Sequence, residues 1–226
     1  AANARGFYDD ELTKQRLDWK QGYDFGVPAS RDWATADKAA ANANLDGYNR
    51  FPPLELLPHF RAVATAYYDT MAELADRISV LMARGLGLSA DDPLVRSLRQ
   101  THSSYLRLNY YPPCGSDAKP PPLGISPHRD AGFLTILSQD AECHSLQMCR
   151  PGEGLTDELP PESAWISVVP ERDALTVNTG DMAQIWSNGH YRAPLHRVLT
   201  HPIRRRYSAP FFYNPGFAAK VGPAVT

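Results

Sequence analysis

The sequence is short of the features that would mark most non-enzymatic classes. Its three cysteines, Cys114, Cys143 and Cys149, are odd in number and lack zinc-finger spacing, which argues against a disulfide framework and fits a reducing compartment. No stretch approaches the ~20 consecutive apolar residues of a membrane span, and the opening Ala1-Ala2-Asn3-Ala4-Arg5-Gly6 does not read as a signal peptide. An excess of one charge is missing too. A net charge of −2 and a pI near 6.4 leave no electrostatic footprint for nucleic acid or anionic lipid, and the run Arg204-Arg205-Arg206 is too short to create one. With 43% hydrophobic and 21% charged residues over 226 positions, the chain reads as one soluble, cytoplasmic domain able to bury a substantial core.

The texture changes along the chain. Between about Leu56 and Leu88, the apolar residues Val63, Tyr67, Met71, Leu74, Ile78 and Leu81 recur at the spacing of one buried helical stripe, which Gly85 and Gly87 end. Upstream, Glu11 to Lys20 suggests a short helix, and Gly22 to Pro53 reads mostly as loop. From Ser104 onward, eight short strand-like segments follow: 104–111, 132–137, 145–149, 164–169, 174–177, 182–186, 197–200 and 207–213. Pro112 to Pro127, with six prolines, reads as a loop beside a cavity. The expectation is an α+β, mainly β domain in which residues 1–103 are chiefly helix and loop, packed on a jelly-roll core, a double-stranded β-helix, over 104–226.

Chemistry concentrates in that second part. If Pro127-His128-Arg129-Asp130 lies on a strand, His128 and Asp130 project from one face and offer an imidazole beside a carboxylate. A histidine from another strand would complete the two-His, one-carboxylate triad that holds non-haem Fe(II) with positions left open. His190, His196 and His201 are the candidates. His190 falls in an apparent hairpin tip and His201 precedes a proline, whereas His196 opens a strand and is preferred. Arg206 and Ser208, also two apart, would present a guanidinium and a hydroxyl together, a carboxylate receptor, unless Arg206 joins a solvated basic edge with its neighbours. Arg107, Asn109 and Tyr111 likewise share one face of an otherwise apolar strand.

At these residues the chain resembles the isopenicillin N synthase-like branch of the Fe(II)- and 2-oxoglutarate-dependent dioxygenases, as found in plants. The resemblance rests on Arg107-Leu108-Asn109-Tyr110-Tyr111-Pro112-Pro113-Cys114, His128-Arg129-Asp130 with Leu134-Thr135-Ile136-Leu137, Val177-Asn178-Thr179-Gly180-Asp181, Trp186-Ser187-Asn188-Gly189, His196-Arg197-Val198, and Arg206-Tyr207-Ser208 leading to Phe211-Phe212. It implies that His128, Asp130 and His196 bind Fe(II). By the same resemblance Arg206, Ser208 and Tyr111 hold the distal carboxylate of 2-oxoglutarate, with Asn109 near its metal-binding end. The implied reaction consumes O2, with ascorbate as an optional reductant, and releases succinate and CO2 while a small organic molecule is hydroxylated, desaturated or ring-closed. Arg107, Phe133 and Phe212 are the candidate substrate contacts, with Tyr23 and Phe25 as further apolar walls. The family also implies a monomer.

Two other readings stay open: an Fe(II) oxidase of the same fold that does not use 2-oxoglutarate, and a jelly-roll ligand-binding protein without catalysis. Arg129 replaces the small residue usual between the first two ligands and is expected to point away from the metal. The N-terminal extension common in the family is expected to be absent.

Overall fold

The computed structural model describes residues 6–8, 12–13, 16–26, 49–153 and 159–226. In chain order the elements are β1 (Gly6–Tyr8), β2 (Leu12–Thr13), β3 (Arg16–Leu17), β4 (Gln21–Phe25), α1 (Phe60–Gly85), α2 (Pro93–Thr101), β5 (Tyr105–Tyr111), β6 (Leu123–His128), β7 (Leu134–Gln139) and β8 (Leu146–Cys149). They continue with β9 (Trp165–Ser167), β10 (Thr176–Thr179), α3 (Asp181–Trp186), β11 (His196–Leu199) and β12 (Arg206–Tyr213). Two antiparallel sheets form the jelly roll: a six-stranded one in the order β1-β4-β5-β12-β7-β10 and a four-stranded one in the order β6-β11-β8-β9. Side chains of both line one cavity of about 480 Å³. Sequence-distant strands therefore meet around a single space, which is what a jelly roll provides and a meander does not.

The larger sheet turns its other face to the helices. Phe211 and Tyr213 of β12, Leu106 of β5 and Ile136 of β7 are almost fully buried against α1 and α2. The helix runs where the apolar period puts it, but its buried stripe is Ala64, Tyr68, Met71, Ala75 and Met82, while Val63 and Leu81 are 65% and 62% exposed. The expected stripe was set one residue off because it was traced through the large aliphatic residues. Alanines let the helix axis come close to the sheet, and Tyr67, Leu74 and Ile78 end up at the edge of the contact.

Helix α2 was missed, although its start is written in Asp92-Pro93. The Asp92 carboxylate accepts from the N–H groups of Leu94 and Val95, and Pro93 needs no donor at the first helical position. Asp92 also accepts from the Trp186 indole at 3.2 Å, which ties α2 to α3.

Four expectations are corrected. The described part of the segment Glu11 to Lys20 is not helical: it contains β2 and β3, and beyond them Trp19 donates its N–H to the Leu123 carbonyl while the Asp18 carboxylate accepts from Ser126 N–H. The β2–β3 ladder and these hydrogen bonds to β6 override local helix preference there. Gln21 to Phe25 is strand β4 in the main sheet, so the N-terminal part is not only helix and loop. The proline-rich stretch contains β6, which pairs with β11 through register shifts that leave Pro127 out of the ladder. Residues 182–186 form α3, not a strand. The N–H groups of Gly180, Asp181 and Met182 donate to the carbonyls of Phe133, Asp130 and Gly132. A Cβ on Gly180 would lie 2.2 Å from the Gly132 carbonyl oxygen, so this close approach requires glycine.

Most of the loop expected between Gly22 and Pro53 lies outside the described residues. Among those described, no helix is long and apolar enough to cross a membrane.

Candidate metal centre and carboxylate receptor

His128 closes β6 and His196 opens β11, and the two are direct partners in the antiparallel ladder. Their rings therefore lie side by side, with centroids 4.2 Å apart. Asp130 completes the group from just past the end of β6, not from the strand itself. Its backbone carbonyl accepts from Asp181 N–H, so the first turn of α3 holds it in place. The Nε2 atoms of His128 and His196 lie 3.6 and 3.7 Å from Asp130 Oδ1, and the candidate donor atoms of the three residues all fall within 4.8 Å of one another. His190 is exposed, and His201 accepts the N–H groups of Ile203 and Arg204 with its Nδ1. Of the three downstream candidates, His196 is the one brought to the pair.

The surroundings orient these donors. Nδ1 of His128 donates to the Ser126 carbonyl at 2.8 Å and Nδ1 of His196 to the Pro194 carbonyl at 3.1 Å. A carbonyl can only accept, so both rings carry a proton on Nδ1 and turn Nε2 toward Asp130. Oδ2 of Asp130 accepts from Thr135 Oγ1 at 2.6 Å and Asn178 Nδ2 at 2.8 Å, which leaves Oδ1 facing the imidazoles. Thr135 and Asn178 are cross-strand partners of β7 and β10.

Burial, followed by repulsion from His196, pushes the His128 pKa down to about 4, so its ring is neutral near pH 7. Burial alone would raise the Asp130 pKa, but His196, the Thr135 and Asn178 hydrogen bonds and His128 outweigh it and hold the group below the usual carboxylate range. Two imidazoles and one ionised carboxylate, oriented from behind, fit a divalent iron ion and leave coordination positions open.

Across the cavity, β12 and β5 build a second polar group. Their register sets Arg206 opposite Tyr111 and Ser208 opposite Asn109. Arg206 is 2% exposed, with its guanidinium 4.9 Å above the Tyr111 ring. Its Nη2 donates to Gln139 Oε1 at 2.9 Å, while Nε and Nη1 are buried and have no hydrogen-bond partner among the described residues. Ser208 Oγ accepts from Asn109 Nδ2 at 3.3 Å and lies 3.5 Å from the Tyr111 hydroxyl. Two buried guanidinium donors without an acceptor are costly, and a bound carboxylate is the group that would satisfy both in fork geometry. The residues present therefore fit a dicarboxylate anchored at one end by Arg206 and Ser208.

The residues expected to meet a substrate divide. Arg107 lines the cavity, but Nε and Nη2 each donate at 2.7 Å to the carboxylate of Asp24 on β4. Phe212 also lines it, stacked on Tyr105 with ring centroids 4.7 Å apart. Phe133 does not: it is fully buried in the helix-side core, 5.3 Å from Trp186, because it precedes β7 and its side chain turns away from the face that Thr135 and Leu137 share. Tyr23 and Phe25 are corrected too. Strand alternation turns them to the helix side, against Phe60 and Phe51, and sets Gly22 and Asp24 beside β5 on the other face. Arg129 donates to the Ala193 carbonyl.

Sequence reasoning passed over Thr135, Asn178, Asp24, Gln139 and Lys20. For the first two a signal existed, since both stand inside the segments Leu134-Thr135-Ile136-Leu137 and Val177-Asn178-Thr179-Gly180-Asp181 that carry the family resemblance. Lys20 was hidden by the mistaken helix.

Comparison with known proteins points the same way. The model of the 2OG-Fe(II) oxygenase superfamily matches residues 102–215. Jasmonate-induced oxygenase 3 of Arabidopsis thaliana is 38% identical over 178 residues, covering 76% of this chain and 44% of that protein. Oxoglutarate-dependent flavonoid 7-O-demethylase 1 of Ocimum basilicum is 32% identical over 218 residues, covering 94% and 49% respectively. The crystal structure of JOX2 in complex with 2OG, Fe and JA superposes with a TM-score of 0.73 at 29% identity, covering 97% of this chain and 57% of that one. The chain spans about half the length of the curated relatives it matches.

Proposed function

The chain belongs to the 2OG-Fe(II) oxygenase superfamily, and from that premise we propose that it carries the site of an Fe(II)- and 2-oxoglutarate-dependent dioxygenase that oxidises a small organic molecule. The observation that carries the reading is a juxtaposition. One cavity holds an oriented two-His, one-carboxylate group and, facing it, a buried arginine with two unsatisfied donors. His128, Asp130 and His196 would hold the iron, and Arg206, Ser208 and Tyr111 the distal carboxylate of the co-substrate, with Asn109 toward its metal-binding end. Bound together, the two groups would supply O2 activation at the expense of the 2-oxo acid, which leaves as succinate and CO2.

The protein's own part is positioning. The two Nδ1–H bonds to carbonyls keep Nε2 free as a donor, and Thr135 and Asn178 hold the carboxylate ionised and in place. Arg206 and Ser208 fix the co-substrate's orientation, and Phe212, with the Arg107–Asp24 pair, would bound the substrate end. The flavonoid in the name of the basil relative supports a small organic substrate. The three free cysteines support a reducing, cytoplasmic setting.

The test is product stoichiometry. Iron-loaded protein given 2-oxoglutarate, O2 and a panel of small organic substrates should release succinate and CO2 in equal amounts. Arg206→Met should abolish that release while iron uptake persists. Substrate oxidation without succinate would instead support the oxidase reading, and no iron uptake near neutral pH the binding-protein reading.

A further inference from the structure

Lys20 is a charged residue of the cavity that belongs to neither the metal group nor the receptor. It lies just before β4 and is only 5% exposed, although lysine is almost never buried without a reason to be. It lines the same cavity as the triad and Arg206. Its Nζ lies 3.5 Å from Asn109 Oδ1, a long hydrogen bond, and Asn109 in turn donates through Nδ2 to Ser208 Oγ, which lies 3.5 Å from the Tyr111 hydroxyl. An ammonium can only donate, so it selects the amide orientation that turns Nδ2 toward Ser208. Gly22 stands opposite Asn109 in the β4–β5 ladder, two residues beyond Lys20.

We infer that Lys20 is a positioning cation of this site, one that favours binding of the 2-oxoglutarate dianion and opposes binding of Fe(II) in its absence. The inference rests on the function proposed above. Arg107 and Asp24 neutralise each other along the same strands, and the buried Asp18 carboxylate receives the Ser126 N–H. Replacing Lys20 by a neutral residue therefore removes one positive charge from the cavity and leaves those groups as they are. In a poorly hydrated cavity that loss acts with opposite sign on a dianion and a dication. A lysine serving only the fold would shift both affinities the same way.

The experiment is anaerobic titration calorimetry on the 226-residue chain, with Fe(II) alone and then with 2-oxoglutarate on the iron-loaded protein, for wild type, Lys20→Met and Lys20→Arg. For Lys20→Met the expected result is about a tenfold or greater loss of 2-oxoglutarate affinity, with a stronger Fe(II) affinity; an unchanged Fe(II) affinity overturns the claim that the lysine opposes the metal. Lys20→Arg should recover most of the loss. Equal 2-oxoglutarate affinity in wild type and Lys20→Met overturns the inference. So does a parallel loss of both affinities with a lowered Tm, since that marks a purely structural lysine. If iron-loaded wild type itself binds no 2-oxoglutarate, the proposed function fails and the inference falls with it.

Discussion

Replacing Thr135 by valine tests the central feature of the metal site with little change in shape. The Thr135 hydroxyl donates to Asp130 Oδ2 at 2.6 Å from a position only 5% exposed, so water cannot readily take its place. A hydrogen bond to a charged group is worth about 1.5–3 kcal/mol, and at about 1.4 kcal/mol per tenfold that corresponds to about a 10- to 100-fold loss of Fe(II) affinity. The same bond helps hold the Asp130 pKa down, so losing it raises that pKa and lets protons compete with the metal. Affinity should therefore fall more steeply on mild acidification in Thr135→Val than in wild type. Anaerobic Fe(II) titration at neutral and mildly acidic pH reads both effects, and Thr135→Ser, which restores the hydroxyl, should behave like wild type. Valine protein that binds iron as tightly as wild type at both pH values would refute the claim that this hydroxyl orients and ionises the carboxylate.

Two further outcomes are expected. The folded-state pKa of His128 lies near 4, below its ordinary 6.5, so between those values the unfolded chain binds a proton that the native site refuses. Stability of the metal-free protein should be full above about 6.5 and decline as pH falls toward 4, a slope that His128→Gln should flatten in thermal unfolding scans. Arg107→Leu leaves Asp24 buried without its partner and should cost about 3 kcal/mol of stability, whereas Arg107→Leu with Asp24→Leu should regain most of it. A substrate KM that is raised in both variants would assign Arg107 to the substrate, and a KM restored in the double variant would confine it to the ion pair.

The legible parts of this chain were those with short-range causes. The period of α1, seven of the strand segments and the alternation that aligns Arg107, Asn109 and Tyr111 all follow from side-chain direction along a regular backbone. What misled were segments whose conformation is set from outside. Residues 182–186 have a composition that suits either state, and become helix because carbonyls from residues 130–133 take the N–H groups of its first turn. The prolines of 112–127 suggest a loop, yet a bulged pairing with β11 makes a strand of Leu123–His128. Phe133, expected at the substrate, is buried in the helix-side core although it shares the parity of Thr135, because alternation holds only once the strand has begun.

The site divides in the same way. Residue types and their spacing were enough to mark His128, Asp130, Arg206 and Ser208 as chemistry-bearing, because few uses exist for an imidazole beside a carboxylate, or a guanidinium beside a hydroxyl, on an apolar strand. Turn and strand signals already favoured His196 over His190 and His201, but its contact with His128 comes from the ladder that pairs them, since contacts between residues this far apart depend on strand order and not on local preference. The same holds for Thr135 and Asn178 behind Asp130, for Asp24 on Arg107, and for Lys20 at Asn109. Each is a polar side chain whose partner lies on another strand, and burial between two sheets is what turns that proximity into orientation, charge state and function.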